Sequence, residues 1–207
     1  MGRREENKAA KRRALRQAAL QRFREQGYDS TSIEQIAGDA GVARGTFYLY
    51  FPDRASLLDG LVDAWFEPLL ELLAEEHERL TVATTRAESL AIYEDIGGQV
   101  AELALEHGEI LLLAFQEART PGEAGEVIRR REAQVTAVVV ELTALAADRG
   151  LIDAPHPDVA ARVVLGAVER MFYDVLATAW SDDPRVIAQE TVRLLTASLG
   201  LAQGGPS

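Results

Sequence analysis

An all-α fold is predicted by three features of the 207-residue chain. No segment alternates apolar and polar residues for long enough to suggest a strand, and apolar residues recur at helical spacing. Breaks rich in Gly, Pro and Thr then divide the chain into about nine segments of helical length. The expected architecture is a three-helix N-terminal head, residues 8–55, followed by a helical body, residues 56–202.

The first helix is expected from about Asn7 to Gln26, with Leu15, Ala18, Ala19 and Phe23 on one face. Lys8, Lys11, Arg12, Arg13 and Arg16 crowd its first half, and Gly27 stops it. Arg3-Arg4 ahead of it form a tail, or alternatively an arm reaching a minor groove. Thr31-Ser32-Ile33-Glu34 fits a capping box in which the Thr31 hydroxyl and Glu34 carboxylate open a second helix. Gly41 closes that helix, and a short third one runs to about Tyr50. Pro52-Asp53 opens a long fourth helix ending near Leu80. The breaks at 81–85, 108, 120–125 and 150–157 then frame helices near 86–106, 109–118, 124–149, 158–180 and 184–200. Residues 202–207 are expected to fray.

An apolar fraction of 47% and a charged fraction of 27% are an ordinary balance for a chain able to bury a sizeable core. Without cysteine there is neither a disulfide nor a thiolate metal site. No run approaches the ~18 apolar residues of a membrane span, and no apolar stretch follows the basic start. A cytoplasmic protein with no membrane partner is expected. The net charge of −11 hides an asymmetry. Residues 1–55 hold 11 Lys/Arg against 7 Asp/Glu, and residues 56–207 hold 11 against 26. A basic head on an acidic body is expected when only the head meets phosphate; a solubilising surface with a basic tail is the plainer alternative.

Three spacings in the head point to a helix-turn-helix. Ala37 is small enough for two helices to cross, and Gly41, four residues on, suits a left-handed turn. Phe47, six further on, anchors the next helix to the core with Ile36, Ala40 and Val42. Arg44, Gly45, Thr46 and Tyr48 are left facing outward, able to donate to phosphates and base edges or to pack closely on DNA. Such a motif places its second helix in the major groove.

Over about residues 10–60 the chain resembles the TetR family of transcriptional repressors. The resemblance rests on Leu15, Ala18-Ala19, Phe23, Gly27-Tyr28, Thr31-Ser32-Ile33, Ile36-Ala37, Ala40-Gly41-Val42, Gly45-Thr46-Phe47-Tyr48, Tyr50-Phe51 and Leu57-Leu58. It implies a DNA-binding head and a variable helical body that dimerises through its last two helices and holds an inducer pocket. Carried over by position, Thr31 or Ser32 resembles a phosphate contact, and Arg44, Gly45 and Thr46 resemble groove-facing residues. Tyr48 and Tyr50 are similar to phosphate-binding tyrosines. Arg54 stands where the family usually has Lys, at a helix N-terminus that would itself attract phosphate. Ala43 replaces a frequent Ser, which removes a cap and a backbone contact.

The last two helices are apolar nearly all round, from Val163 to Leu176 and at Leu194, Leu195, Leu199 and Leu201. A homodimer through them is expected, with a thick-cored monomer as the alternative. Large or polar residues in apolar helices are the candidates for an inducer site: Trp65, Tyr93, Gln99, Phe115, Gln116 and Phe172, with Phe66, Met171 and Tyr173 beside them. Ordinary core packing is the competing reading of the aromatic ones. Gly97-Gly98 inside a helical pattern, each about 1 kcal/mol worse than Ala, suggests a kink, a close approach to a ligand or a surface irregularity. The Glu-x-x-His pairs of a di-iron bundle are missing, since Ala74, Ala104 and Asp153 precede His77, His107 and His156 by three. Gly-rich phosphate loops and Gly-x-Ser-x-Gly are missing as well. No enzyme activity, cofactor or metal is expected. The expected protein is a repressor that holds a double-stranded DNA operator and is released by a largely apolar small molecule, or a constitutive DNA-binding factor with no inducer.

Overall fold

A computed structural model describes residues 2–178 and 184–201. Among them there are nine α-helices and no strand: α1 (Arg3–Gln26), α2 (Ile33–Asp39), α3 (Arg44–Phe47), α4 (Arg54–Val82), α5 (Arg86–Glu106), α6 (Gly108–Glu117), α7 (Glu123–Asp148), α8 (Pro157–Ala177) and α9 (Pro184–Ser198). The expected end of the eighth helix at 180 and the tail 202–207 lie outside the described residues. The chain divides into two compact units, Met1–Ala64 with Leu113–Arg130, and Trp65–Leu112 with Arg131–Ser207. This division falls beyond the expected boundary at 55/56 and gathers a distant segment into the head.

In the first unit, α1 begins at Arg3, earlier than expected, so Arg3 and Arg4 are helical and neither a tail nor an arm. The Gly2 carbonyl accepts the Glu5 and Glu6 amides, and both carboxylates fall in the first turn, where the helix dipole favours them. Leu15, Ala19 and Phe23 are fully buried with Ile36, Phe47 and Leu57. Arg22 on α1 reaches Asp39 at the end of α2 with two parallel bonds, one of them 2.9 Å, and holds the Asp39 carboxyl below its ordinary range.

The cap of α2 sits one residue later than expected. Thr31…Glu34 and Ser32…Gln35 both fit the sequence pattern of a capping box, and the structure forms the second. The Ser32 hydroxyl accepts the Gln35 amide at 3.2 Å, and the Gln35 side chain accepts the Ser32 amide at 2.8 Å. Thr31 is buried instead, its hydroxyl donating to the Gly27 carbonyl at 2.8 Å. After α2, Gly41 takes φ +66°, and the chain turns so that the Val42 amide reaches the Ala37 carbonyl at 2.9 Å.

In the second unit α9 packs on α5 and on α8. Thr85 and Glu88 form the capping box that opens α5. The Arg149 guanidinium donates to the Ala83 carbonyl at 2.8 Å, tying the end of α7 to the end of α4. Pro68 lies inside α4 and, lacking an N–H, leaves the Ala64 carbonyl without its helical donor where the two units divide. Gly97 marks a close approach, though to a helix rather than to a ligand: a Cβ there would stand 2.1 Å from Val192 Cγ2 on α9. Around Gly98 there is nothing within 4 Å.

The two glycines therefore predict opposite outcomes. Gly97→Ala forces α5 and α9 apart and should destabilise the chain by about 1–3 kcal/mol in urea unfolding. Gly98→Ala should be neutral or stabilising by up to about 1 kcal/mol. Equal effects of the two would show that α9 does not pack against Gly97.

Candidate nucleic-acid interface

The α3 helix has four residues and follows Ala43, whose side chain offers no cap. Its hold on the head comes from Phe47, fully buried, with its ring centroid 6.0 Å from that of Phe51 and 5.5 Å, edge-on, from that of Tyr48. With Phe47 turned inward, helical phase turns Arg44, Gly45 and Tyr48 to solvent, while Thr46 and Tyr50 are half-buried. Ser32 is exposed at the start of α2. These six residues share the head's helix-turn-helix segment and present hydroxyls, a guanidinium and a bare backbone. Leu49 is 77% exposed beside them.

Arg44 is held in place before any DNA arrives. Its Nε lies 2.9 Å from Glu34, and the neighbouring Tyr48 hydroxyl and Glu34 together push its pKa up. Both partners are exposed, and an exposed pair contributes only ~0–1 kcal/mol, so a phosphate or guanine can displace Glu34 with little penalty.

Two residues expected at phosphates, Thr31 and Arg54, make bonds within the head. The Thr31 hydroxyl is buried and committed to Gly27. Arg54 turns inward: its Nη1 donates to the carbonyls of Tyr28 at 2.9 Å and of Thr31, and its guanidinium carbon lies 4.2 Å over the Tyr28 ring. The N-terminus of α4, expected to attract phosphate, already meets a carboxylate. Asp53 accepts the Ser56 amide at 2.7 Å, and that bond lowers its pKa. In this structure Arg54 holds the turn that leads into α2.

Beneath Arg54, the buried Tyr28 hydroxyl donates to Glu123 at the start of α7, at 2.5 Å. Burial first, and then the Glu123 carboxylate, raise the Tyr28 pKa, while Arg54 opposes them. Arg130 on α7 also approaches Asp59 on α4 at 3.8 Å. These two interactions place part of α7 in the head's unit, and nothing in the spacing of the sequence announces a partner 95 residues away.

The six expected inducer-site residues divide between the two units. Phe115 and Gln116 belong to the first unit, and Gln116 is exposed. Gln99 is exposed too, because six residues after Tyr93 is about 240° around a helix. In the second unit the buried Trp65 meets Phe172 edge-on, with centroids 6.5 Å apart. Tyr93 is the polar member that does point inward. Its hydroxyl is buried without a hydrogen-bond partner among the described residues, as is the hydroxyl of Ser89 one turn earlier. Burial pushes the Tyr93 pKa up to about 12, so it stays a neutral donor at ordinary pH. Ser89 carried no signal in the sequence.

Known proteins share this head and this fold. A family profile described as "Bacterial regulatory proteins, tetR family" matches residues 15–61. The HTH-type transcriptional regulator RutR of Escherichia coli is 38% identical over 72 residues, 33% of this chain and 34% of that protein. The chain spans about a third of the length of curated relatives that it matches. Over nearly the whole chain the fold is similar to native NalD, the secondary repressor of the MexAB-OprM multidrug efflux pump in Pseudomonas aeruginosa. The TM-score is 0.74 at 25% identity, covering 91% of this chain and 96% of that one. It is also similar to FadR of Bacillus subtilis in complex with stearoyl-CoA, at TM-score 0.67 and 20% identity, over 88% and 96% of the two chains.

The inward Arg54 predicts a stability phenotype. Arg54→Ala should lower unfolding stability by about 2 kcal/mol, the sum of its charged hydrogen bonds and ring stacking. Arg54→Lys, which keeps the charge and loses the planar fork, should recover less than half of that. A full recovery by Lys in chemical denaturation would return Arg54 to the role of a simple cation.

Proposed function

We propose that the chain is a transcriptional regulator of the tetR family, whose profile matches residues 15–61, and that it acts as a homodimeric repressor. In this reading it holds a palindromic operator in the cytoplasm and releases it when a largely apolar small molecule binds in the second unit. The observation that carries the DNA reading is the outward set Ser32, Arg44, Gly45, Thr46, Tyr48 and Tyr50, braced from behind by Phe47. Arg44 through Thr46 are assigned to base edges, and Ser32, Tyr48 and Tyr50 to phosphates.

The dimer reading is supported by apolar residues that the chain leaves uncovered. Val159 and Val163 on α8 are 55% and 62% exposed, and Val186 and Leu194 on α9 are 55% and 57% exposed. Two heads so joined would match half-sites about 34–36 Å apart or a multiple of that. For the ligand, support comes from the same fold in FadR, which holds stearoyl-CoA, and from two hydroxyls on α5, of Ser89 and Tyr93, buried without a hydrogen-bond partner among the described residues. The ligand releases DNA by binding one head arrangement better than the other, and α4, continuous from Arg54 to Val82, carries the shift.

Two experiments test this. In gel-shift titrations with a duplex selected from genomic DNA, Tyr48→Phe should weaken binding to all sequences alike. Arg44→Ala should instead reduce the preference between sequences, by about 1–3 kcal/mol. Indifference to both substitutions contradicts the assigned face. For the ligand, Tyr93→Phe removes an unpaired buried hydroxyl and should stabilise the free chain by roughly 1 kcal/mol. The folded pKa of Tyr93, about 12, lies above the ordinary value of 10.0, so its contribution is complete below pH 10 and is lost as pH rises toward 12. The variant should flatten stability over that window and lose the thermal shift given by acyl-CoA or by hits from an apolar compound screen. If no compound changes operator affinity, the chain is a constitutive DNA-binding factor.

A further inference from the structure

The first half of α1, expected as a basic helix with a loose end, forms one wall of a groove. The groove has a volume of about 420 Å³ and runs between Arg4, Asn7, Lys8 and Lys11 on α1 and Leu49 and Tyr50 just past α3. Arg4, Lys8 and Lys11 follow at intervals of four and three, which sets them on one face of the helix. Glu5 is the one acid in the lining, leaving an excess of two positive charges. Among the described residues none of the three cations has an ion pair or hydrogen bond. They contrast with Arg22, paired to Asp39, and Arg54, spent on backbone carbonyls. Cations gathered at a groove and left without partners are poorly explained by stability of the fold.

We propose that this groove is a second phosphate site, filled by the backbone of the same DNA duplex that α3 reads. The inference rests on the DNA-binding reading and adds to it a surface outside the helix-turn-helix. Three observations favour a duplex. The groove shares Tyr50 with the proposed DNA face, so a strand crossing one continues into the other. The cations from residue 4 to residue 11 extend over about 10 Å of helix, the axial rise of about three phosphates on one strand. Leu49, exposed at the groove edge, offers an apolar surface to deoxyribose between phosphates. The site carries no donor geometry for individual bases, so it adds affinity without sequence choice.

The test uses the full-length chain, a selected operator duplex and a scrambled duplex, with fluorescence anisotropy at several salt concentrations. Replacing Arg4, Lys8 and Lys11 together by Gln should weaken both duplexes by about tenfold or more. It should also make the log–log salt dependence shallower by about two to three, at ~0.9 for each phosphate that is no longer neutralised. The ratio between the two duplexes should stay constant. Lys8→Arg with Lys11→Arg should bind as the natural chain does, which separates charge from any effect on helix stability. A triple Gln variant with unchanged affinity and salt slope, in a chain that does bind DNA, overturns the second site and leaves the α3 reading standing. A natural chain that binds no duplex at all overturns the DNA reading itself.

Discussion

Between the end of α1 and the start of α2 the chain passes through residues 27–31, whose carbonyls have no place in a helical ladder. Buried carbonyls need a donor, and Arg54 supplies it, bonding to the carbonyls of Tyr28 and Thr31 while its guanidinium lies on the Tyr28 ring. The rest of the head's outer surface follows from that clamp. It holds Thr31 inward and Ser32 outward, Ser32 then caps α2, and the rotation of α2 fixes through Gly41 and Phe47 which residues of α3 meet solvent. Tyr28 carries the same arrangement to Glu123, so the turn that sets the proposed DNA face is bonded to the start of α7.

Arg54 also shows where sequence reasoning stops. Its position and charge were legible and suggested phosphate, but an arginine's partners depend on which carbonyls the fold leaves open, and no local spacing encodes that. The α2 cap was ambiguous because Thr31 and Ser32 each stand three residues before a residue that completes the box. Burial of Thr31, a tertiary fact, decided between them. Helix positions were legible because their breaks carry local chemistry: the Gly41 turn and the Phe47 anchor stand where the residue types require them. Gly97 was legible as a close approach, but the approaching group is Val192. Gln99 and Gln116 were chosen by residue type alone, and helix phase leaves both in solvent.

The second unit contains a tension between stability and function. Two hydroxyls, of Ser89 and Tyr93, are buried one turn apart without partners among the described residues, an unfavourable arrangement where most inward polar groups are paired. A bound molecule offering acceptors would relieve it. Three exposed valines and one exposed leucine on α8 and α9 show a second unmet requirement, which a second copy of the chain would meet. Both fit the proposed reading, in which partners would complete the second unit and DNA would complete the basic head.

Hydrogen–deuterium exchange of the full chain, alone and saturated with its selected duplex, bears most directly on the claim that the head's outward face holds DNA. DNA should slow exchange at the start of α2, through residues 43–50 and along the first turns of α1. Residues 27–31, already closed by Arg54, should exchange slowly in both states. Protection confined to the second unit, with residues 43–50 unchanged on DNA binding, would contradict the account.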